Sequence, residues 1–291
     1  GLQSAARIIC PSVTVKFYTG SLRGIFPHAH VAVKNDLNFS RLRTRTLRGF
    51  LHTGGRIHLT EKGHIMPHDD LTIVYEDRSL LLCVKPVGVL SEDSENGASM
   101  PHLLRQHYAA AHQPDYIATV HRLDKVTGGL MLFSRQRAVT GRLIAAVAEH
   151  RVEKEYLAVL RGHPPEKEGE LIDLLFRDAA KNKSYVVKRM RKGVREAKLS
   201  YRTLAETDKL TLVRVRLFTG RTHQIRVQFS SRGLPLLGDI RYGSKDANCS
   251  TALWSYRLAL THPITGERID VTQPPPEQYP WNLFNCDELR D

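Results

Sequence analysis

The sequence predicts an α+β fold: one large mixed or antiparallel sheet with a few helices. Short apolar or alternating runs divided by turn residues recur from residue 71 onwards, which is the pattern of strands. Only three stretches, 99–111, 136–150 and 223–232, read as helices. The composition, 41% hydrophobic and 25% charged, is that of ordinary globular material.

Residues 1–70 differ in texture from the rest. They hold ten Lys/Arg against four Asp/Glu and six of the fourteen histidines, with poor periodicity. Arg41, Arg43, Arg45 and Arg48 crowd one short stretch. Four readings stay open: an RNA-gripping arm, an organellar targeting segment, sequence that never packs compactly, or a consequence of where the chain starts. His28 and His30 form a His-x-His without cysteine or carboxylate partners, a weak metal signal. The expected division is a basic segment over 1–70 that is poorly structured or only loosely packed, a main folded domain over 71–285 and a tail over 286–291.

From residue 71 the elements follow in order. Leu71–Tyr75 and Leu80–Val84 are strand-like, with Glu76-Asp77-Arg78 as their turn. Lys85-Pro86-Val87-Gly88 ends the second strand, because proline cannot continue a ladder. After the helix at 99–111 comes a polar, glycine-rich loop over 121–129, then the apolar run Leu130-Met131-Leu132-Phe133. Asp124 therefore lies on a loop braced by a buried strand, although alone it reads more readily as a turn or cap residue. The helix at 136–150 carries Leu143, Ile144 and Val147 on its apolar face. Lys154–Leu160 is a strand holding Tyr156, which alone reads as core or rim packing. Residues 181–198 carry eight Lys/Arg and one acid, suiting a solvated face or a phosphate-contacting hairpin that includes Lys188 and Arg189. Strands Leu199–Leu204 and Leu210–Phe218 lead into Thr219-Gly220-Arg221-Thr222-His223-Gln224-Ile225-Arg226. There a glycine turn opens a helix whose start, with Arg221 and Arg226, suits an anion. A glycine-bounded loop at 238–243 and a strand over 253–260 complete the pattern.

The net charge of +13, from 43 Lys+Arg and 30 Asp+Glu, points to a polyanionic partner. Cys10, Cys83, Cys249 and Cys286 are far apart and form no Cys-x-x-Cys pair. They read as free thiols of a reducing compartment, not as a disulfide framework or a zinc site. No apolar run approaches the roughly 18 residues that a membrane span needs.

Six motifs together resemble the RluA-type pseudouridine synthase family. They are Lys85-Pro86-Val87-Gly88, His121-Arg122-Leu123-Asp124, Lys154-Glu155-Tyr156, Thr219–Arg226, Gly238–Gly243 and His262-Pro263, in family order from about Leu71 to Phe284. Gly128 stands where the family usually has serine, and Gln228 where histidine is common. The front end does not clearly match the small RNA-binding domain of many relatives.

The resemblance implies a long, bent, mostly antiparallel sheet with a central active cleft. It implies an isomerase that turns specific uridines of ribosomal or transfer RNA into pseudouridine. Asp124 would act on the ribose, Arg226 would pair with it, and Tyr156 would lie against the base. Arg122 would fill the space left by the flipped nucleotide. Arg221, His223, Gln224, Lys188 and Arg189 would contact RNA. No metal or cofactor is expected, since the reaction has no redox step and no external nucleophile. A cytoplasmic monomer is expected.

The alternative is a non-catalytic RNA-binding protein or RNA chaperone on the same fold. Two other enzyme classes fit poorly. Protein kinases share part of His-Arg-Leu-Asp but need a preceding glycine-rich loop. A glycosidase needs a second carboxylate paired with Asp124.

Overall fold

The computed structural model describes four short strands within residues 1–70, together with residues 71–95 and 98–285. The described backbone divides into two compact units, Gly1–Leu71 and Thr72–Asp291. In the first, β1 (Arg7–Cys10) pairs antiparallel with β2 (Val13–Lys16), and β3 (Ile57–Leu59) with β4 (Ile65–Pro67). The arginine cluster at 41–48, His28 and His30, and the tail at 286–291 lie outside the described residues.

The second unit is built on one 11-stranded sheet. Its elements are β5 (Ile73–Glu76), β6 (Leu80–Lys85), α1 (Met100–Ala110), β7 (Ala118–Thr119), β8 (Gly128–Ser134), α2 (Arg137–Ala148) and β9 (Glu153–Arg161). They continue with β10 (Glu168–Asp178), β11 (Lys183–Val187), β12 (Val194–Glu206), β13 (Leu210–Leu217), α3 (Gln224–Ser230), β14 (Leu253–Thr261) and β15 (Arg268–Thr272). The sheet runs β11-β10-β12-β13-β9-β14-β8-β6-β5, with β15 added to β14 and β7 to β8. Every pairing is antiparallel except that of β14 with β8.

The central strands are continuous apolar runs because both of their faces are covered. All seven residues of β8 are buried. On one face, Val139, Leu143 and Ala146 of α2 pack with Leu80, Leu130, Leu132 and Leu258. Another cluster gathers Leu157, Leu212, Trp254, Tyr256 and Trp281. A smaller one joins Val227 of α3 and Tyr242 to Leu175 and Ala197. α1 starts with Ser99, whose hydroxyl accepts the amide of His102, and Pro101 follows in the first turn, where a missing N–H costs nothing.

Three expectations need correction. Ile144 is 47% exposed, whereas Leu143 is buried. Adjacent helical residues point about 100° apart, so the face carrying Val139, Leu143 and Ala146 excludes position 144. The strand after the Asp124 loop begins at Gly128, not at Leu130. Strands β10 and β15 were not expected at all. Glu168, Glu170, Arg268 and Asp270 are exposed on them, and that outward charge hides the strand pattern.

The parallel pairing of β14 and β8 matters most for the site. Ser255 lies opposite Gly129 on one side and opposite Tyr156 of β9 on the other. The end of the Asp124 loop and the tyrosine strand are thus two strand spacings apart, roughly 10 Å. Gly129 has φ +106°, and a Cβ there would run into the backbone of Ser255. Gly129→Ala should therefore destabilise the domain by roughly 2 kcal/mol or more, through φ strain plus backbone collision. An unchanged melting temperature would show that the β8–β14 contact is not this tight.

Candidate active site

The loop from His121 to Thr127 is held from four directions. Leu132 donates its amide to His121 Nε2 at 2.9 Å. That bond keeps the buried imidazole neutral, and burial pulls its pKa down to about 3, with the charge of Lys154 acting the same way. The hydroxyl of Ser91 accepts the amide of Leu123 at 2.9 Å and donates to its carbonyl at 2.7 Å. Gly88 donates its amide to the Lys125 carbonyl, and Thr127 closes a turn onto the Asp124 carbonyl.

Lys85 adds the fourth hold. It is fully buried, and its ammonium donates to the carbonyls of Pro86 and Val89 at 2.9 Å and of Lys125 at 3.4 Å. Burial pulls its pKa down to about 7, and the charge of Asp124 works in the opposite direction. Three carbonyls match the three protons of the ammonium form.

Asp124 is presented on this braced loop with its side chain 27% exposed. Arg226 Nη1 donates to its Oδ2 at 2.9 Å. Arg226 is only 4% exposed and also forks onto Asp239, with Nε to Oδ2 at 2.6 Å and Nη2 to Oδ1 at 2.8 Å. Burial opposes the guanidinium's charge, but the hydrogen bonds and charge of Asp239, with Asp124, outweigh it and hold Arg226 ionised. Asp239 clamps the arginine in the bidentate geometry that best fixes a planar group. The arginine in turn aims Asp124.

His223 Nε2 lies 3.8 Å from the same Oδ2. Its backbone is left-handed, φ +56°, immediately before α3, a conformation that costs a non-glycine residue about 1–3 kcal/mol. Its Nδ1 is 2.8 Å from the hydroxyl of Tyr242. Tyr156 is buried at 6% exposure. Burial, then the charge of Asp124, push its phenol pKa up, so it stays protonated.

These groups line a cleft of about 1000 Å³. Its walls carry seven Lys/Arg (Arg122, Lys125, Lys154, Arg177, Arg221, Arg226, Arg241) and three acids (Glu92, Asp93, Asp124). The excess of positive over negative charge suits a polyanionic ligand.

Comparison with known proteins shows the family. A family model described as RNA pseudouridylate synthase matches residues 79–231, just over half of the chain. The chain belongs to the RNA pseudouridylate synthase family. It is therefore an isomerase acting on uridine in RNA. It is 32% identical to the ribosomal large subunit pseudouridine synthase D of Zymomonas mobilis, over 76% of this chain and 74% of that protein. It is 31% identical to an uncharacterised RNA pseudouridine synthase of Bacillus subtilis, over 75% and 73%. Among solved structures, human RNA pseudouridylate synthase domain containing 1 superposes with a TM-score of 0.61 at 25% identity, covering 72% of this chain and 86% of that one. The mixed sheet is thus the pseudouridine synthase fold.

Against that family frame, the residues singled out in the sequence separate into three groups. Asp124, Tyr156, Arg226, His223, Arg221 and Arg122 meet at the cleft. Arg122 is 67% exposed and pairs with Glu92 at 3.0 Å. Arg221 is also exposed, and its Nε donates to the Glu196 carbonyl. Gln224 is committed inward. Its Nε2 donates to the Lys198 carbonyl, and its Oε1 accepts from Arg221 N and Thr219 Oγ1. At 3% exposure it braces the turn, and it also lines the cleft beside His223 and Arg226. Lys188 and Arg189 are exposed in the turn between β11 and β12, away from the cleft lining.

The expected anion site at the start of α3 also changes. The helix has only seven residues, and Arg226 is fully occupied by two carboxylates. Gln228, in the position where histidine is common, donates to Asp173 at 2.7 Å and to the Leu171 carbonyl.

Lys85, Asp239 and Tyr242 were quoted in motifs but given no role. The available signal was a lysine closing an apolar strand and an acid and a tyrosine inside a glycine-bounded loop. Among the described residues, no group of three or more His, Cys, Asp or Glu could hold a metal ion, and no helix is long and apolar enough to cross a membrane.

Proposed function

We propose that this isomerase modifies uridine in ribosomal or transfer RNA, with Asp124 as the carboxylate that acts on the ribose of a flipped nucleotide. The observation that carries the reading is the Asp239–Arg226–Asp124 chain at the floor of a basic cleft. Both contacts to Asp124 fall on Oδ2, so Oδ1 is the oxygen available to the reacting atom. Arg226 sets a positive charge against the carboxylate and fixes the direction of its Oδ2. Tyr156 lies against the base as an intact phenol, and its hydroxyl assists the late departure of the proton from carbon 5.

Flipping costs a few kcal/mol, least in a loop or bulge. Arg122 supports it by filling the vacated space. Its partner Glu92 is an exposed rim acid, and such a surface pair is weak enough to exchange for RNA. The basic hairpin of β11 and β12, with Lys188 and Arg189 at its tip, adds sequence-independent phosphate contacts.

The large-subunit target named for the Zymomonas mobilis relative favours ribosomal over transfer RNA. Mapping pseudouridines in RNA from cells with and without the protein tests this: a lost ribosomal site supports it, and a lost transfer-RNA site redirects it. Affinity for RNA should also fall steeply with salt, with a log–log slope of about −0.7 for each neutralised single-strand phosphate. A flat salt titration would contradict phosphate-driven binding.

A further inference from the structure

His223 stands in an unusual place for an RNA contact. It is 9% exposed, in a left-handed backbone, with its ring turned between Asp124 and Tyr242. The hydrogen bonds around Tyr242 favour one tautomer. The Tyr242 hydroxyl accepts the amide of Ser184 at 2.8 Å, and His223 Nδ1 lies 2.8 Å from the same oxygen. Among the described residues Nδ1 is the one acceptor within hydrogen-bond distance of the phenol, so the arrangement that leaves no buried proton unpaired sends the phenol proton to Nδ1. Nδ1 is then an acceptor, and the imidazole proton sits on Nε2, the nitrogen facing Asp124 Oδ2 at 3.8 Å. That separation is beyond a hydrogen bond but well inside the range where charges sense each other.

We propose that His223 is a positioning residue for Asp124: anchored by Tyr242, its neutral Nε2–H edge faces Oδ2, and its protonation in acid turns the carboxylate from a reactive group into a neutralised one. This rests on the reading of Asp124 as the reacting carboxylate.

The charges around the ring explain the consequence. Asp124 faces it from the loop, Arg226 from α3, Asp239 and Arg241 from the segment after Gly238, and Lys183 of β11 lies over the Tyr242 ring. Asp124, Asp239 and Arg226 together carry one net negative charge. An imidazolium would cancel it and compete with the substrate for Asp124. Burial holds the imidazole below its ordinary 6.5; the charge of Asp124 opposes that, Arg226 and Arg241 reinforce it, and Asp239 opposes it. The neutral form therefore prevails at neutral pH, and the switch lies on the acid side.

Nitrogen-15 and carbon-13 NMR titration of the full chain, without RNA, tests the coupling. The His223 ring, assigned by its absence in His223→Gln, should hold its proton on Nε2 at neutral pH. The Asp124 carboxyl signal should show an inflection at the His223 midpoint, below pH 6.5, and His223→Gln should lose it. Tyr242→Phe should mix the tautomers, which tests the anchor even if His223→Gln fails to fold. An Nδ1–H ring, or an Asp124 signal that ignores the His223 midpoint, overturns the proposal.

Tritium release from transcribed ribosomal and transfer RNA carrying 5-tritiated uridine supplies the kinetic arm. In His223→Gln the acid limb of kcat should move to lower pH with KM little changed. A pH-independent loss of kcat would instead mark a merely structural histidine. Absence of tritium release by the unmodified protein would count against the proposed substrate class, while the NMR arm still decides the coupling.

Discussion

Arg226→Met should destabilise the catalytic unit by about 3–5 kcal/mol and abolish activity, because it leaves two carboxylates without their shared cation. The stability loss comes from Asp239 more than from Asp124. Asp239 is 1% exposed and accepts both prongs of the guanidinium, so its charge has no water to fall back on. Asp124, 27% exposed, regains part of its hydration. The double variant Arg226→Met with Asp239→Asn should therefore be less damaged than the sum of the two single variants. That non-additivity is the mark of a directly coupled pair. Urea denaturation monitored by tryptophan fluorescence reads both quantities. A single variant with the unmodified protein's midpoint would mean that the buried arginine is not what holds Asp239.

The same arginine shows where sequence reading succeeds and where it stops. Strands β6, β8, β9, β13 and β14 are legible because burial on both faces forces near-continuous apolar runs. β10 and β15 are not, since they present acids and arginines to solvent and look like loops. Ile144 was assigned to the wrong face because apolar character alone does not encode a helical angle. At the site, Asp124 and Arg226 are recognisable as motif residues far apart in the chain, and the fold brings them to 2.9 Å. The clamp by Asp239 is not legible. It depends on how the loop after Gly238 returns to α3, which no local pattern records. Gln224 misleads for the opposite reason: a polar residue between two arginines looks exposed until the turn that it braces is seen. Lys85 belongs with it. A lysine at a strand end normally reaches water, and only the convergence of three carbonyls shows that this one stays inside.

The central claim is that Asp124 performs the chemistry, and Asp124→Asn tests it most directly. The amide keeps the shape of the side chain and can still accept the Arg226 hydrogen bond through its oxygen, but it carries no negative charge. Arg226 retains Asp239, so the fold should survive and the melting temperature should stay close to that of the unmodified protein. RNA binding should persist, because phosphate contacts supply most of it. Tritium release from RNA carrying 5-tritiated uridine should fall by on the order of 10⁴-fold or more, as when an enzyme loses its nucleophile. A folded Asp124→Asn protein that still releases tritium at a rate comparable to the unmodified enzyme would contradict the account.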